Sequence, residues 1–241
     1  MKSDNFYEKF WEDSTYQQKY AFDVAVRDRL PAILKVWGDL IRPKRVLDLG
    51  SGNGVLTYWL KLNGFGECVN GFDISKTGVD NANRSFKRDG LEFFTLEKLK
   101  EISPGSFDVV VSSHVLEHIE NPAASLECIL DKAEWFILEV PLESCLWQEF
   151  LFRLRPKART NNDLGHVNFW SRNSFREFLT NAGLIIIKDY QYASAPFSPY
   201  NHSLKKIVER IMFALFGVSL YGKIMTTHYV VLARKTDLLR K

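Results

Sequence analysis

The sequence predicts an α/β fold, a mostly parallel sheet of seven strands with helices on both faces and the last strand antiparallel. Three observations carry this expectation. From residue 45 onward, short apolar runs alternate with stretches of helical periodicity. Glycines or capping residues stand at the strand-to-helix junctions. The chain has 241 residues, 46% of them hydrophobic, enough for one domain with a full core.

The elements follow in order. Phe6, Tyr7, Phe10, Trp11, Tyr16 and Tyr20 include pairs at i,i+4 spacing that suit a short helix over residues 5–20. A second helical segment spans Ala21 to Ile41, interrupted near Pro31 and closed before Pro43. Residues 1–42 thus form a helical cover. Arg45–Leu49 reads as a strand and Asn53–Leu62 as a helix closed by Gly64. Cys68–Phe72 is a second strand, and Ser75 caps the helix after it. Leu91–Leu96, Phe107–Ser112 and Trp135–Val140 are further strands. Asn121 followed by Pro122 starts the helix between the last two. Ser171 caps a helix ending at Gly183, and Leu184–Tyr190 and Thr227–Ala233 complete the sheet. Residues 141–169 and 196–223 are insertions on this frame.

Composition narrows the function classes. A net charge of +3 permits an anionic substrate but gives no strong nucleic-acid footprint, and no aromatic-studded basic groove is visible. Nucleic acid is therefore not an expected partner. Cys68, Cys128 and Cys145 are odd in number and form no C-x-x-C pair, which suits reduced thiols. The N-terminal MKSDNFYEKFWED has no apolar stretch typical of a signal peptide. The longest uncharged apolar run, Ile211 to Gly222, falls short of the roughly 20 residues of a membrane span. A cytoplasmic protein is expected.

The most informative segment is VLDLGSGNG, Val46 to Gly54. An apolar strand delivers Asp48, and Gly50, Gly52 and Gly54 follow before a helix opens. Bare backbone at such a turn lets a ligand lie against the chain. The spacing is G-x-G-x-G with an acid before it, not the G-x-G-x-x-G of a dinucleotide site. Asp48 suits the ammonium group of an amino-acid ligand better than a pyrophosphate. Asp73 ends the next strand, in GFDIS, 23 residues after Gly50. A carboxylate there can accept both hydroxyls of a ribose; it can also serve as a plain helix cap.

Together these residues resemble the class I S-adenosylmethionine-dependent methyltransferases, over about Lys44 to Ala233. FDVVVSSHVLEHIENP and GHVNFWSRNSFREFLTNAGL are similar to the small-molecule branch of that class, which includes ubiquinone-biosynthesis-like and polysaccharide-modifying enzymes. The resemblance implies a Rossmann-like fold, S-adenosyl-L-methionine as donor, and a donor site built from Asp48, Gly50, Ser51, Gly52, Asp73, Ile74, Glu97, Ser113 and His114. Leu96-Glu97 replaces the usual Gly-Asp near the adenine. Tyr16 and Tyr20 lie where an N-terminal helix often folds over the donor, or they pack that helix onto the domain.

Methyl transfer from an activated carbon requires orientation, exclusion of water and, for a hydroxyl acceptor, a base. Histidine is the natural base near neutral pH. His166, on the insertion, is the first candidate; a structural hydrogen bond is its alternative. His118 follows Glu117 beside the fourth strand, either in the chemistry or shaping the acceptor pocket. His202 and His228 carry no such context. HVLEH also satisfies an inverted zinc-peptidase pattern, which requires His114 and His118 one turn apart on a continuous helix. A strand before His114 and Pro122 after it argue against that, so no metal is expected.

The acceptor is less constrained. Arg153, Arg155, Lys157 and Arg159 suit a phosphorylated or acidic acceptor, or form a solvated charge run. Leu204, Ile207, Val208, Ile211 and Leu215 recur at helical spacing with Lys205, Lys206 and Arg210 opposite. That stretch, 203–222, can lie on a membrane, cap the acceptor pocket, form a dimer contact or simply pack. The oligomeric state stays open. The expected function is O-methylation of a carbohydrate or glycan-type acceptor in polysaccharide biosynthesis, phosphorylated and lipid-linked acceptors included. The alternatives are an isoprenoid quinone-pathway O-methyltransferase and a donor-binding scaffold protein without turnover.

Overall fold

The structure is a computed structural model and describes residues 4–12, 22–157, 165–199 and 203–236. Tyr16, Tyr20, Arg159 and His202 lie outside the described residues.

One seven-stranded sheet organises the chain. Its strands are β1 (Arg45–Leu49), β2 (Cys68–Asp73), β3 (Leu91–Thr95), β4 (Val109–Ser113), β5 (Trp135–Leu142), β6 (Leu184–Tyr192) and β7 (Thr227–Lys235), in the spatial order β3-β2-β1-β4-β5-β7-β6. The first five pair in parallel, and β7 runs antiparallel to both neighbours, β5 and β6. The helices are α1 (Asp4–Glu12), α2 (Leu30–Trp37), α3 (Val55–Leu62), α4 (Lys76–Phe86), α5 (Pro122–Leu130), α6 (Leu146–Leu154), α7 (Arg172–Asn181) and α8 (Ser203–Ile224).

Because side chains alternate across a strand, each buried strand feeds two cores. Val46, Val109, Val111, Ile137, Val230 and Leu232 pack on one face with α2 and α3. Leu47, Leu49, Val110, Phe136, Leu138 and Val231 pack on the other with α5 and α7. This is why the strands read as unbroken apolar runs.

The caps are as expected. The side chains of Ser75, Asn121 and Ser171 accept from the backbone N–H three residues on in α4, α5 and α7. Several boundaries differ: the fourth strand starts at Val109 and not Phe107, the second helical segment ends at Trp37 and not Ile41, and β2, β5, β6 and β7 each run slightly past their expected ends. Three further differences bear on the site. Pro31 does not end the second helical segment: it occupies the first turn of α2, directly after an irregular turn of helix. The helical path enters α2 through a π-turn, Ala25–Arg29. α3 begins at Val55, after Gly54 in a left-handed conformation (φ 81°), and not at Asn53. The third strand stops at Thr95, so Glu97 falls in a short 3-10 turn, Leu96–Glu101.

Candidate active site

Two loops at the carboxyl edge of the sheet build the expected donor site. Gly50 N–H and Ser51 N–H both donate to the Phe72 carbonyl, at 2.7 and 3.1 Å, which ties the glycine loop to the end of β2. Gly52 N–H donates to Asp73 Oδ2 at 2.7 Å, and Ser75 N–H to Asp73 Oδ1 at 2.8 Å. Asp73 is therefore held rigidly between the two loops, and Ser75, not Asp73, caps α4. At Gly52 (φ 52°) a Cβ would lie 2.3 Å from the Trp11 ring, and at Gly50 (φ 75°) 2.2 Å from Val115, so no side chain fits at either.

Strand parity turns Asp48 toward α3, where Thr57 Oγ1 donates to its Oδ2 at 2.6 Å. Burial pushes its carboxyl up to about 7. Ser51 is buried and its hydroxyl has no hydrogen-bond partner. Ile74 exposes 42% of its surface beside Asp73, and Glu97 is exposed at the rim.

The cover over this loop comes from residues that sequence reasoning did not assign to it. The Glu8 carboxylate accepts from the N–H groups of Lys76 and Thr77, at 2.7 and 2.9 Å, at the start of α4. That contact seats α1 so that Trp11 lies against Gly52 and Gly78. Tyr7 reaches the same region, where burial and the charges of Glu117 and Asp73 push its hydroxyl up to about 12.

A second cluster lies beside it. His114, directly after β4, is the one non-glycine among the described residues with positive φ, 58°. Its N–H donates to the Glu139 carbonyl at 3.0 Å, and Ser113 Oγ donates to Glu139 Oε2 at 2.6 Å. The Ser113 hydroxyl proton and the His114 N–H thus go to β5, which leaves the Ser113 oxygen and the His114 carbonyl as acceptors toward a bound ligand. His114 Nε2 meets His228 Nδ1 at 3.0 Å, and Tyr192 hydrogen-bonds Glu139. His228, given no role from sequence, belongs to this cluster. Burial pulls both imidazoles well below their ordinary range and raises Glu139.

The third group forms where the segment 165–169 is stapled to the 3-10 turn Leu116–His118. Val167 N–H and Asn168 N–H donate to the Glu117 carbonyl at 2.8 and 3.0 Å. The Asn168 amide donates to the Leu116 and Ile119 carbonyls at 3.0 and 2.6 Å. His166 is thereby set edge-on to His118, with ring centroids 4.8 Å apart. An ionised carboxylate only accepts, so His166 Nδ1 donates to Glu143 Oε2 at 2.6 Å, and Nε2 becomes the basic nitrogen. Glu117 is fully buried. Its Oε1 stands 3.1 Å from His114 Nδ1 but off the hydrogen-bond direction, and neither oxygen has a hydrogen-bond partner.

Glu117, His118 and His166 carry ligand atoms close enough to hold a metal ion, as do His114, Glu139 and His228. The two histidines of HVLEH fall in different groups, one after a strand and one in a 3-10 turn, so the helical zinc-peptidase arrangement is not formed. Arg29, on the π-turn, brings a cation to these groups. Its charge acts on Asp48, Glu117 and Glu139, and its buried Nε has no hydrogen-bond partner. π-turns are frequent at functional sites.

A family model described as a methyltransferase domain matches residues 16–188, more than half of the chain. The chain belongs to the class I S-adenosylmethionine-dependent methyltransferases. This methyltransferase is 38% identical over 85 residues to the ubiquinone biosynthesis O-methyltransferase of Nitrosococcus oceani, a match covering 34% of the chain and 35% of that protein. The chain thus spans about a third of the length of the first curated relative. It is 24% identical over 229 residues to an uncharacterized protein of Haemophilus influenzae, covering 89% of this chain and 82% of the other. Among solved structures it resembles one from a complex between the Haloferax volcanii Trm112 methyltransferase activator and a putative methyltransferase. There the TM-score is 0.67 at 18% identity, over 96% and 98% of the two chains. That likeness establishes the fold.

Members of this class use S-adenosylmethionine, and the residues present fit it. Its amino-acid tail carries one cation and one anion; Asp48 and the unpartnered Nε of Arg29 are a matching pair of opposite sign. Its ribose offers a diol. The Asp73 carboxylate has about four lone-pair positions, of which the two N–H donors take only a part.

Proposed function

We propose that this enzyme methylates a hydroxyl group of a small acceptor, with His166 as general base held by Glu143. The observation that carries the reading is the buried 2.6 Å bond between His166 Nδ1 and Glu143. A carboxylate behind an imidazole fixes the tautomer and stabilises the imidazolium that forms when the other nitrogen takes a proton. An amine acceptor attacks through its own lone pair and needs no such base. S-adenosylmethionine supplies a methyl group already activated by the sulfonium charge. The protein then orients, dries and deprotonates. Asp73 holds the ribose hydroxyls, Asp48 faces the ammonium and Arg29 the carboxylate, while Trp11 and Tyr7 exclude water. His166 removes the hydroxyl proton, and Glu117 offers its unpartnered carboxyl to orient the acceptor, with His118 packed beside it.

Carbohydrate hydroxyls and phenolic hydroxyls both satisfy this chemistry. An isoprenoid phenol gains support from a cavity lined by Tyr190, Tyr192, Phe197, Phe213 and Val218, with Arg27, Asp28 and Lys35 around it. Tyr192, which lines that cavity, hydrogen-bonds Glu139. The printed names of several relatives point the same way. A glycan acceptor gains support from the exposed Arg153 and Arg155, which suit an acidic group. Incubation with labelled S-adenosylmethionine and a panel of polyprenyl catechols and nucleotide- or lipid-linked sugars tests both. A methyl ether is the expected product. Label recovered only on nitrogen refutes the base, and donor uptake with no transfer to any member favours a scaffold without turnover.

The donor assignment makes a separate prediction. With its carboxyl near 7, Asp48 is protonated in the free protein at pH 6. Pairing with an ammonium ionises it, so donor binding at pH 6 releases about one proton, and the release shrinks toward pH 7.5. Calorimetry in two buffers of different ionisation enthalpy measures this, and an uptake of protons at pH 6 contradicts the pairing. Without ligand the sign is fixed as well. The folded protein holds a proton that the unfolded chain, with its value of 3.8, has lost, so the Asp48 contribution to stability declines from about pH 4 to about pH 7.

A further inference from the structure

Helix α8 is amphipathic in the reverse sense. It is broken at Gly217 (φ 61°, ψ 174°), and before the break Leu204, Ile207, Val208, Ile211 and Leu215 share one stripe. A surface helix normally turns such a stripe inward. Here Leu204 is 75% exposed, Leu215 72%, and the three between them about half. The side turned to the protein carries Glu209, only 3% exposed, Phe213, packed edge-on to Phe197, and Arg210, whose Nε donates to the Pro196 carbonyl at 2.9 Å.

α6, which packs against α8, repeats the pattern. Leu146, Trp147, Phe150 and Leu154 fall on one stripe and all are exposed, and α6 buries none of its side chains. An apolar surface of this extent marks an interaction site.

Charge selects the occupant. Residues 144–157 and 203–224 together hold seven Lys or Arg and two Glu, a net of five positive charges where the whole chain has +3. The rest of the molecule is therefore net acidic, and the cations gather around the apolar stripes. Lys205, Lys206 and Lys223 stand on α8, Arg153 on α6, and Arg155 and Lys157 just beyond it. A two-fold contact with a second copy would set these cations against each other. An anionic bilayer takes both features at once: acyl chains accept the apolar stripe, and phosphate headgroups accept the flanking cations. No helix of the described residues is long and apolar enough to cross a membrane, so the contact is peripheral.

We propose that α6 and the first half of α8 form a docking face for an anionic lipid bilayer. The proposal does not depend on the acceptor's identity, since it rests on the outer surface alone.

Flotation of the full chain with vesicles tests it. Phosphatidylcholine vesicles containing roughly one-third phosphatidylglycerol bind the protein at low salt, and binding falls steeply as salt rises. Leu204→Glu with Leu215→Glu lowers this binding by about tenfold or more, while calorimetric affinity for S-adenosylhomocysteine, read as a check on folding, is unchanged. Lys205→Gln with Lys206→Gln removes most of the preference for mixed over pure phosphatidylcholine vesicles. Absence of binding at low salt overturns the proposal, as does a Glu variant that floats like the wild type. A dimer in sedimentation that Leu215→Glu dissociates, without vesicle binding, assigns the face to a second copy and equally defeats it.

Discussion

Replacing Asp73 by alanine lowers affinity for S-adenosylmethionine by about 2–4 kcal/mol, the scale of two charge-assisted hydrogen bonds. The expectation follows from the position of the carboxylate. It is fixed at both oxygens by the N–H groups of Gly52 and Ser75, at 2.7 and 2.8 Å, and is 8% exposed. Burial raises its pKa while those two N–H groups oppose the shift, so the ribose hydroxyls meet a preorganised acceptor. The same bonds join the glycine loop to β2, and removing the carboxylate leaves two buried N–H groups without a partner. Thermal unfolding measured beside calorimetry separates the two effects. Asp73→Asn keeps an acceptor oxygen and the shape of the site, so it retains more stability than affinity. Full affinity in the alanine variant would remove Asp73 from the donor site.

His166→Ala slows turnover by about 10²–10⁴-fold, the usual contribution of a positioned base, and leaves donor affinity intact. A His166 that merely pins the 165–169 segment predicts a different result: lower thermal stability with kcat largely kept. Glu143→Gln distinguishes the two again. It preserves the size of the side chain but can favour the wrong tautomer at a buried 2.6 Å contact, so kcat falls while the melting temperature barely moves. Unchanged kcat in both variants moves the base elsewhere, with His118 the next residue to test.

The donor half of this site was legible because its determinants are local. Val46 to Gly54 and Asp73 to Ser75 are each a strand end with its turn, and the turn chemistry dictates the residue types. The seven strands were legible for the same reason. The acceptor half is assembled from distant positions, and its signals are faint. Glu139 is an acid inside the apolar run WFILEVPL; by strand parity it sits on the same face as Ile137, as Ser113 does with Val111 and His228 with Val230. A buried acid on a strand implies partners at the same edge, and that inference was available. Glu143 has no such periodicity, because it lies past the end of β5. Arg29 depends on a π-turn, which no residue pattern announces. The helical cover was expected through Tyr16 and Tyr20, which lie outside the described residues; among the described ones, Tyr7 and Trp11 lie against the loop.

The reversed strand β7 has a consequence for how the chain acquires its shape. It is the last of the seven strands to be synthesised, yet it occupies an interior slot between β5 and β6, with Tyr229 to Ala233 almost wholly buried. Until residue 235 emerges, β5 and β6 present open edges and hydrocarbon that only this segment satisfies. Vectorial folding can therefore complete the first five strands but not the sheet. Because His228 stands second in β7, the imidazole pair on which the acceptor half closes comes into being only at that non-local step.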